Sequence, residues 1–199
     1  MWPNFDGKPY TRDALAAHIN ASDFSTWQHK DGSRGKPAFI TLHNTASPSL
    51  ALWMSWAPEK RRQYIDNMQP YYENMGWRGG PHFFVPPQED ICVFGFNNLL
   101  AAGTHASCFN NSSIGIEMVG DFDQEPFDTG PGAQVAENAI YLMALLHRRI
   151  GLAPVPYAYG QSGLHFHVEC KADDHHCPGS RVDKATVVAR IQAKMAELD

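Results

Sequence analysis

The chain has 199 residues, enough for one domain with a substantial core and too few for two full ones. Its formal charge of −5, with no basic stripe, argues against nucleic acid as a partner, because phosphate recognition needs clustered Lys and Arg. No apolar run nears the roughly 20 residues of a membrane helix, which argues against membrane insertion, and residues 1–6 have neither the basic start nor the apolar centre of a secretion signal, which predicts synthesis in the cytoplasm or export by some other route.

In chain order, Leu15, Ala16, His18 and Ile19 lie at helical spacing and predict a short helix over residues 11–21, after the Pro9 turn. A polar loop over 28–36 leads into residues 38–46, where Phe39, Ile40 and Leu42 fit a buried strand that breaks into a polar loop after His43. Residues 58–75 read as helix, which Pro70 is expected to kink or split. Trp53, Trp56, Tyr64, Tyr71, Tyr72 and Trp77 make this region aromatic, for packing on a sheet or for stacking on sugar rings.

Gly79-Gly80 opens a strand over 82–85, Pro86-Pro87 turns it, and 91–94 completes a hairpin. Residues 112–119 form a further strand, and its Glu117 is out of place there, since a buried carboxylate is costly unless it is paired or used. Val135, Ala139, Leu142, Leu146 and Ile150 mark a helix over 131–150, stopped by Gly151. A short strand over 163–167 and an amphipathic helix over 182–198, with Val187, Val188, Ile191 and Met195 inward, complete the chain. Strands interleaved with helices, without a repeat or linker, predict a single α/β domain.

The densest chemistry lies between His165 and Cys177, where four histidines and two cysteines fall within thirteen residues. Imidazole nitrogen and thiolate sulfur suit zinc, which in catalytic sites takes three protein ligands and leaves one position open. His43, at the carboxyl end of its strand, is the best source of a further ligand, because sites of α/β sheets gather there. The four cysteines, Cys92, Cys108, Cys170 and Cys177, make no disulfide framework for a chain this long, so mostly free thiols are expected.

Four blocks in order, Thr41-Leu42-His43-Asn44-Thr45-Ala46, Gly103-Thr104-His105-Ala106, Asn110-Asn111-Ser112-Ser113-Ile114-Gly115-Ile116-Glu117 and Cys177-Pro178-Gly179, resemble the type 2 N-acetylmuramoyl-L-alanine amidases. That family shares its fold with phage lysozyme-type amidases and peptidoglycan recognition proteins. The resemblance runs from about Ala38 to the C-terminus and implies a central mixed β-sheet flanked by helices, with a zinc site in a surface groove. Residues 38–199 would then be the catalytic domain and residues 1–37 an N-terminal extension packed on it.

The resemblance further implies one Zn2+ per chain, held by His43, His167 and Cys177, family spacing favouring His167 over His165. Glu117 takes the place of the family's catalytic carboxylate. His175 stands where the family usually has Lys, which makes the charge offered to an oxyanion dependent on pH. His105 and Asn110 fall in blocks that line the substrate groove. Pro81 replaces a Tyr that faces the metal in some relatives, His82 is expected to pack within its strand, His165 to back the ligands or wall the groove, and His176 to face solvent.

The implied reaction is hydrolysis of the amide between the lactyl group of N-acetylmuramic acid and L-alanine, in peptidoglycan or its muropeptide fragments. Two rivals stand beside it: a peptidoglycan-binding module that has lost the metal, against which the presence of Cys177 counts, and a zinc amidase acting on an unrelated amide. The loops over 49–80 and 122–132, which set substrate choice, match the family least. An endolysin released onto the wall is the expected setting, with cytoplasmic recycling of wall fragments as the alternative.

Overall fold

The computed structural model describes residues 5–156, 163–173 and 176–198. Six strands form one mixed sheet: β1 (Pro9–Tyr10), β2 (Phe39–Asn44), β3 (Phe83–Val85), β4 (Val93–Gly95), β5 (Ser113–Met118) and β6 (Gly163–Phe166), in the order β1-β4-β3-β5-β2-β6. β3, β5, β2 and β6 run parallel, while β4 and β1 close one edge antiparallel. The carboxyl ends of the parallel strands therefore share one end of the sheet, where ligands of such sheets gather.

Because side chains alternate along a strand, each strand divides its residues between two faces. Ile40 and Leu42 of β2, Ile114, Ile116 and Met118 of β5, Phe83 and Val85 of β3, and Leu164 and Phe166 of β6 enter the main core. Against them pack α1 (Arg12–Ala21), α4 (Gly130–Ile150) and α5 (Lys184–Glu197), through Leu15, Leu142, Leu146, Val187 and Ile191 among others. Thr41, His43, Ser113, Gly115, Glu117, Phe84 and His165 occupy the alternate positions, so the residues with chemistry are segregated by strand periodicity alone.

That second face is partly covered by α2 (Leu50–Ser55) and α3 (Pro58–Asn74), whose Trp53, Ile65 and Tyr72 cluster with Phe84, Phe94, Phe96 and Val119. α2 has no strong sequence periodicity; its start is set by the Ser49 side chain, which accepts the Leu52 N–H at 3.2 Å. Of the kink or split expected at Pro70, the split does not occur: α3 runs unbroken through it. Proline removes one N–H and crowds the preceding turn, but Ile65 before it and Tyr72 after it are buried in the same cluster, which holds both halves to the sheet.

The expectation of mostly free thiols also needs correction. Cys108 and Cys170 form a disulfide across a sequence separation of 62, leaving Cys92 and Cys177 free. Pairing depends on Cα atoms being brought close, here to 5.8 Å, which spacing along the chain cannot reveal. The bridge ties the loop of residues 102–112 to the 3-10 turn His167–Glu169 that continues β6. No helix among the described residues is long and apolar enough to cross a membrane.

Candidate metal centre

β2 and β5 are in parallel register with His43 opposite Glu117, so one strand end delivers an imidazole and its neighbour a carboxylate. β6 stops one residue short of His167, and the 3-10 turn swings that ring back toward β2. Cys177 arrives from the loop before α5. Potential donor atoms of His43, His167 and Cys177 all lie within 4.8 Å of one another. Nδ1 of His43 and Nδ1 of His167 are 3.0 Å apart, and the Asn44 N–H donates to Cys177 Sγ at 3.1 Å.

This donor set suits zinc, which takes imidazole nitrogen and thiolate in a tetrahedral shell. Burial, and after it the Glu117 carboxylate, push the Cys177 thiol up, and the Asn44 amide offsets this only in part. A thiolate there is favourable once a dication shares the site, because metal binding and ligand deprotonation are linked. The outer nitrogens of both rings are also engaged. His43 Nε2 lies 3.0 Å from His105 Nδ1, and His167 Nε2 lies 3.1 Å from Asp173 Oδ2.

Asp173 is a residue that the motifs did not single out. Its carboxylate also accepts the Ser107 N–H at 2.9 Å and the Ser107 hydroxyl at 2.6 Å. Burial alone would raise Asp173, but the Ser107 bonds and His167 outweigh it and hold the carboxyl below its usual range. A carboxylate on the far nitrogen of a ligand imidazole fixes the ring and raises its basicity. The available signal was a carboxylate six residues beyond His167.

The centre opens into a cavity of about 510 Å³ lined by His43, Glu117, His167, Cys177 and His105 on one side and by residues of α3 on the other. Glu117 is half-buried on this wall, and burial raises its carboxyl well above the usual range. Tyr64, Met68, Tyr71 and Tyr72 of α3, with Met75 and Trp77 beyond it, supply an apolar and aromatic wall, so the aromatic run both packs on the sheet and faces the cavity. Pro81 lines the same cavity.

The remaining sequence candidates fall in different places. His105 is buried and lines the cavity; burial, then His82, holds it well below the usual imidazole range. Asn110 is not among the residues lining the cavity, and its Oδ1 instead accepts the N–H groups of His105 at 2.7 Å and Ala106 at 2.9 Å. His165 shares the face of His43 but lies beneath the site, its ring 4.0 Å from Phe109 and 4.6 Å from Phe39 by centroid, with its pKa pushed down to about 3 by burial. His82 is fully buried between backbone groups: Nε2 donates to the Ala101 carbonyl at 2.9 Å and Nδ1 accepts the Gly115 N–H at 2.9 Å. His176 is exposed, and His175 lies outside the described residues.

A family model described as N-acetylmuramoyl-L-alanine amidase matches residues 33–180. No curated protein sequence matches the chain. Solved structures that share the fold include the following three. The endolysin N-acetylmuramoyl-L-alanine amidase LysCS from Clostridium intestinale has a TM-score of 0.57 at 22% identity, covering 78% of this chain and 84% of its own. A mutant of Drosophila PGRP-LB in complex with tracheal cytotoxin has a TM-score of 0.58 at 20% identity, covering 87% of this chain and 89% of its own. The Ph2119 endolysin from a Thermus scotoductus bacteriophage has a TM-score of 0.52 at 25% identity, covering 84% and 91%.

Proposed function

The chain belongs to the N-acetylmuramoyl-L-alanine amidase family, and on that footing we propose that it is a zinc-dependent hydrolase that cleaves the amide between N-acetylmuramic acid and L-alanine. The observation that carries this reading is the convergence of His43, His167 and Cys177 within 4.8 Å beside Glu117, in one cavity. One zinc held by these three residues would acidify a water to a pKa of about 7 and polarise a carbonyl oxygen.

The chain's own residues do the rest. His43 and His167 present ring nitrogens on the cavity side while their outer nitrogens are held by His105 and Asp173. Glu117 takes the proton from the attacking water and passes it to the nitrogen of the leaving amine. The wall of Met68 and Tyr71 of α3, with Met75 at its end, shields the reacting amide from bulk water and gives sugar and peptide an apolar surface. His175 is assigned from the motif as donor to the carbonyl oxygen as negative charge builds there. His175→Ala is expected to retain zinc and lose turnover by roughly 10²–10³-fold, the usual cost of deleting such a donor, with part of it restored by His175→Lys; zinc content and kcat measured side by side check both.

A binding-only role is disfavoured because Cys177 and both histidines are present with a carboxylate in reach. The Cys108–Cys170 bridge bears on the setting, since disulfides persist in oxidising surroundings and are rare in the cytosol. It favours action at the wall over cytoplasmic recycling. Incubation with intact peptidoglycan and with soluble muropeptides, followed by analysis of the fragments, tests the reading. New L-alanine amino termini are expected, whereas bound but uncut substrate would identify a recognition module and cleavage of another bond a different hydrolase.

A further inference from the structure

His105 touches the metal centre through hydrogen bonds whose direction can be worked out. Ser113 Oγ donates its only hydrogen to the Phe109 carbonyl at 2.9 Å and accepts from Thr41 Oγ1 at 3.0 Å. His105 Nε2 lies 3.3 Å from that hydroxyl oxygen and 3.4 Å from the Ser113 carbonyl, so both neighbours can only accept. Nε2 of His105 therefore carries the ring proton. A neutral imidazole has one N–H and one lone pair, which leaves Nδ1 of His105 as an acceptor, 3.0 Å from Nε2 of His43. His43 must then be protonated at Nε2, and its lone pair lies on Nδ1, the nitrogen facing His167.

We propose that His105 is a positioning residue that selects the metal-binding tautomer of His43, through the directed chain His43 Nε2–H to His105 Nδ1 and His105 Nε2–H to Ser113. The sequence is built to seat this ring. A Cβ on Gly115 would lie 2.5 Å from two atoms of the His105 ring, so only glycine at that point of β5 lets the imidazole lie against the strand. Asn110, by accepting from the His105 and Ala106 amides, fixes the backbone that carries it. His105 thus differs from a groove residue that meets substrate alone.

This inference rests on the metal-centre reading, and zinc affinity separates the two. Competition of the full-length chain against a chromophoric chelator is expected to show tight zinc binding by the wild type and a roughly 10–100-fold weaker affinity for His105→Ala, the usual cost of removing a partner behind a ligand histidine. His105→Asn should keep most of the affinity, because its amide oxygen can accept the same proton. Imidazole ¹⁵N shifts of the zinc-loaded wild type supply a check that needs no variant: both His43 and His105 should be protonated at Nε2. Unchanged zinc affinity in His105→Ala with a raised KM would make His105 a substrate contact and overturn the proposal, as would equal losses in the Ala and Asn variants or a proton on Nδ1 of His43. A wild type that binds no zinc would overturn both this proposal and the metal centre.

Discussion

Glu117→Gln is expected to lower kcat by roughly 10²–10⁴-fold, the usual worth of general acid-base help, or about 3–5 kcal/mol of barrier. The substitution keeps the shape of the side chain and removes only its capacity to accept a proton. β5 is anchored by Ile114, Ile116 and Met118 on the opposite face, so fold and metal content should be unchanged. The loss should fall on kcat rather than KM, because the interaction is made in the transition state. Steady-state kinetics on a soluble muropeptide, with zinc content measured on the same preparation, reads both. A variant with near-normal kcat and full zinc would remove Glu117 from proton transfer.

Removal of the metal should have the larger effect, reducing turnover to background. Chelation and Cys177→Ala should act alike, but only the chelated protein should recover, on addition of one equivalent of zinc. Neither treatment touches the α3 wall, so muropeptide binding should persist in both, and calorimetry on the metal-free chain would record it. That separation of binding from turnover distinguishes a catalytic metal from a structural one, whose loss would unfold the site. Full turnover by metal-free protein would contradict the role assigned to His43, His167 and Cys177.

Much of this was legible in the sequence where a physical period carries the information. The alternation Ile40, Leu42 against Thr41, His43, and Ile114, Ile116 against Gly115, Glu117, places the apolar residues in one core and the polar ones on the other face. Glu117 stood out because a carboxylate in such a strand has no packing reason to be there. Gly115 carried a signal as well, since a strand-interior glycine marks a close backbone approach, although the sequence does not say that His105 is what approaches.

Other features depend on where separate segments meet. His165 and His167 alternate in one apolar run, and nothing local shows that the chain leaves the sheet at His167, which leaves His165 packed between Phe39 and Phe109. The Cys108–Cys170 bridge and the Ser107–Asp173 bonds join a loop to a turn more than 60 residues away, and only the folded sheet brings them together. Pro70 shows the opposite case, a strong local signal that does not break the helix because residues on both sides of it are buried. The two-residue strand β1 is too short to have a period at all.

Hydrolysis in water enriched in ¹⁸O reports on the reacting bond itself. With zinc-loaded protein and a muropeptide, mass spectrometry should find one ¹⁸O in the lactyl carboxylate of the muramic acid product and none in the released peptide, whose L-alanine gains a free amino group. Label in the peptide fragment, or an intact muramoyl amide after prolonged incubation with zinc-loaded protein, would contradict amide hydrolysis at this centre.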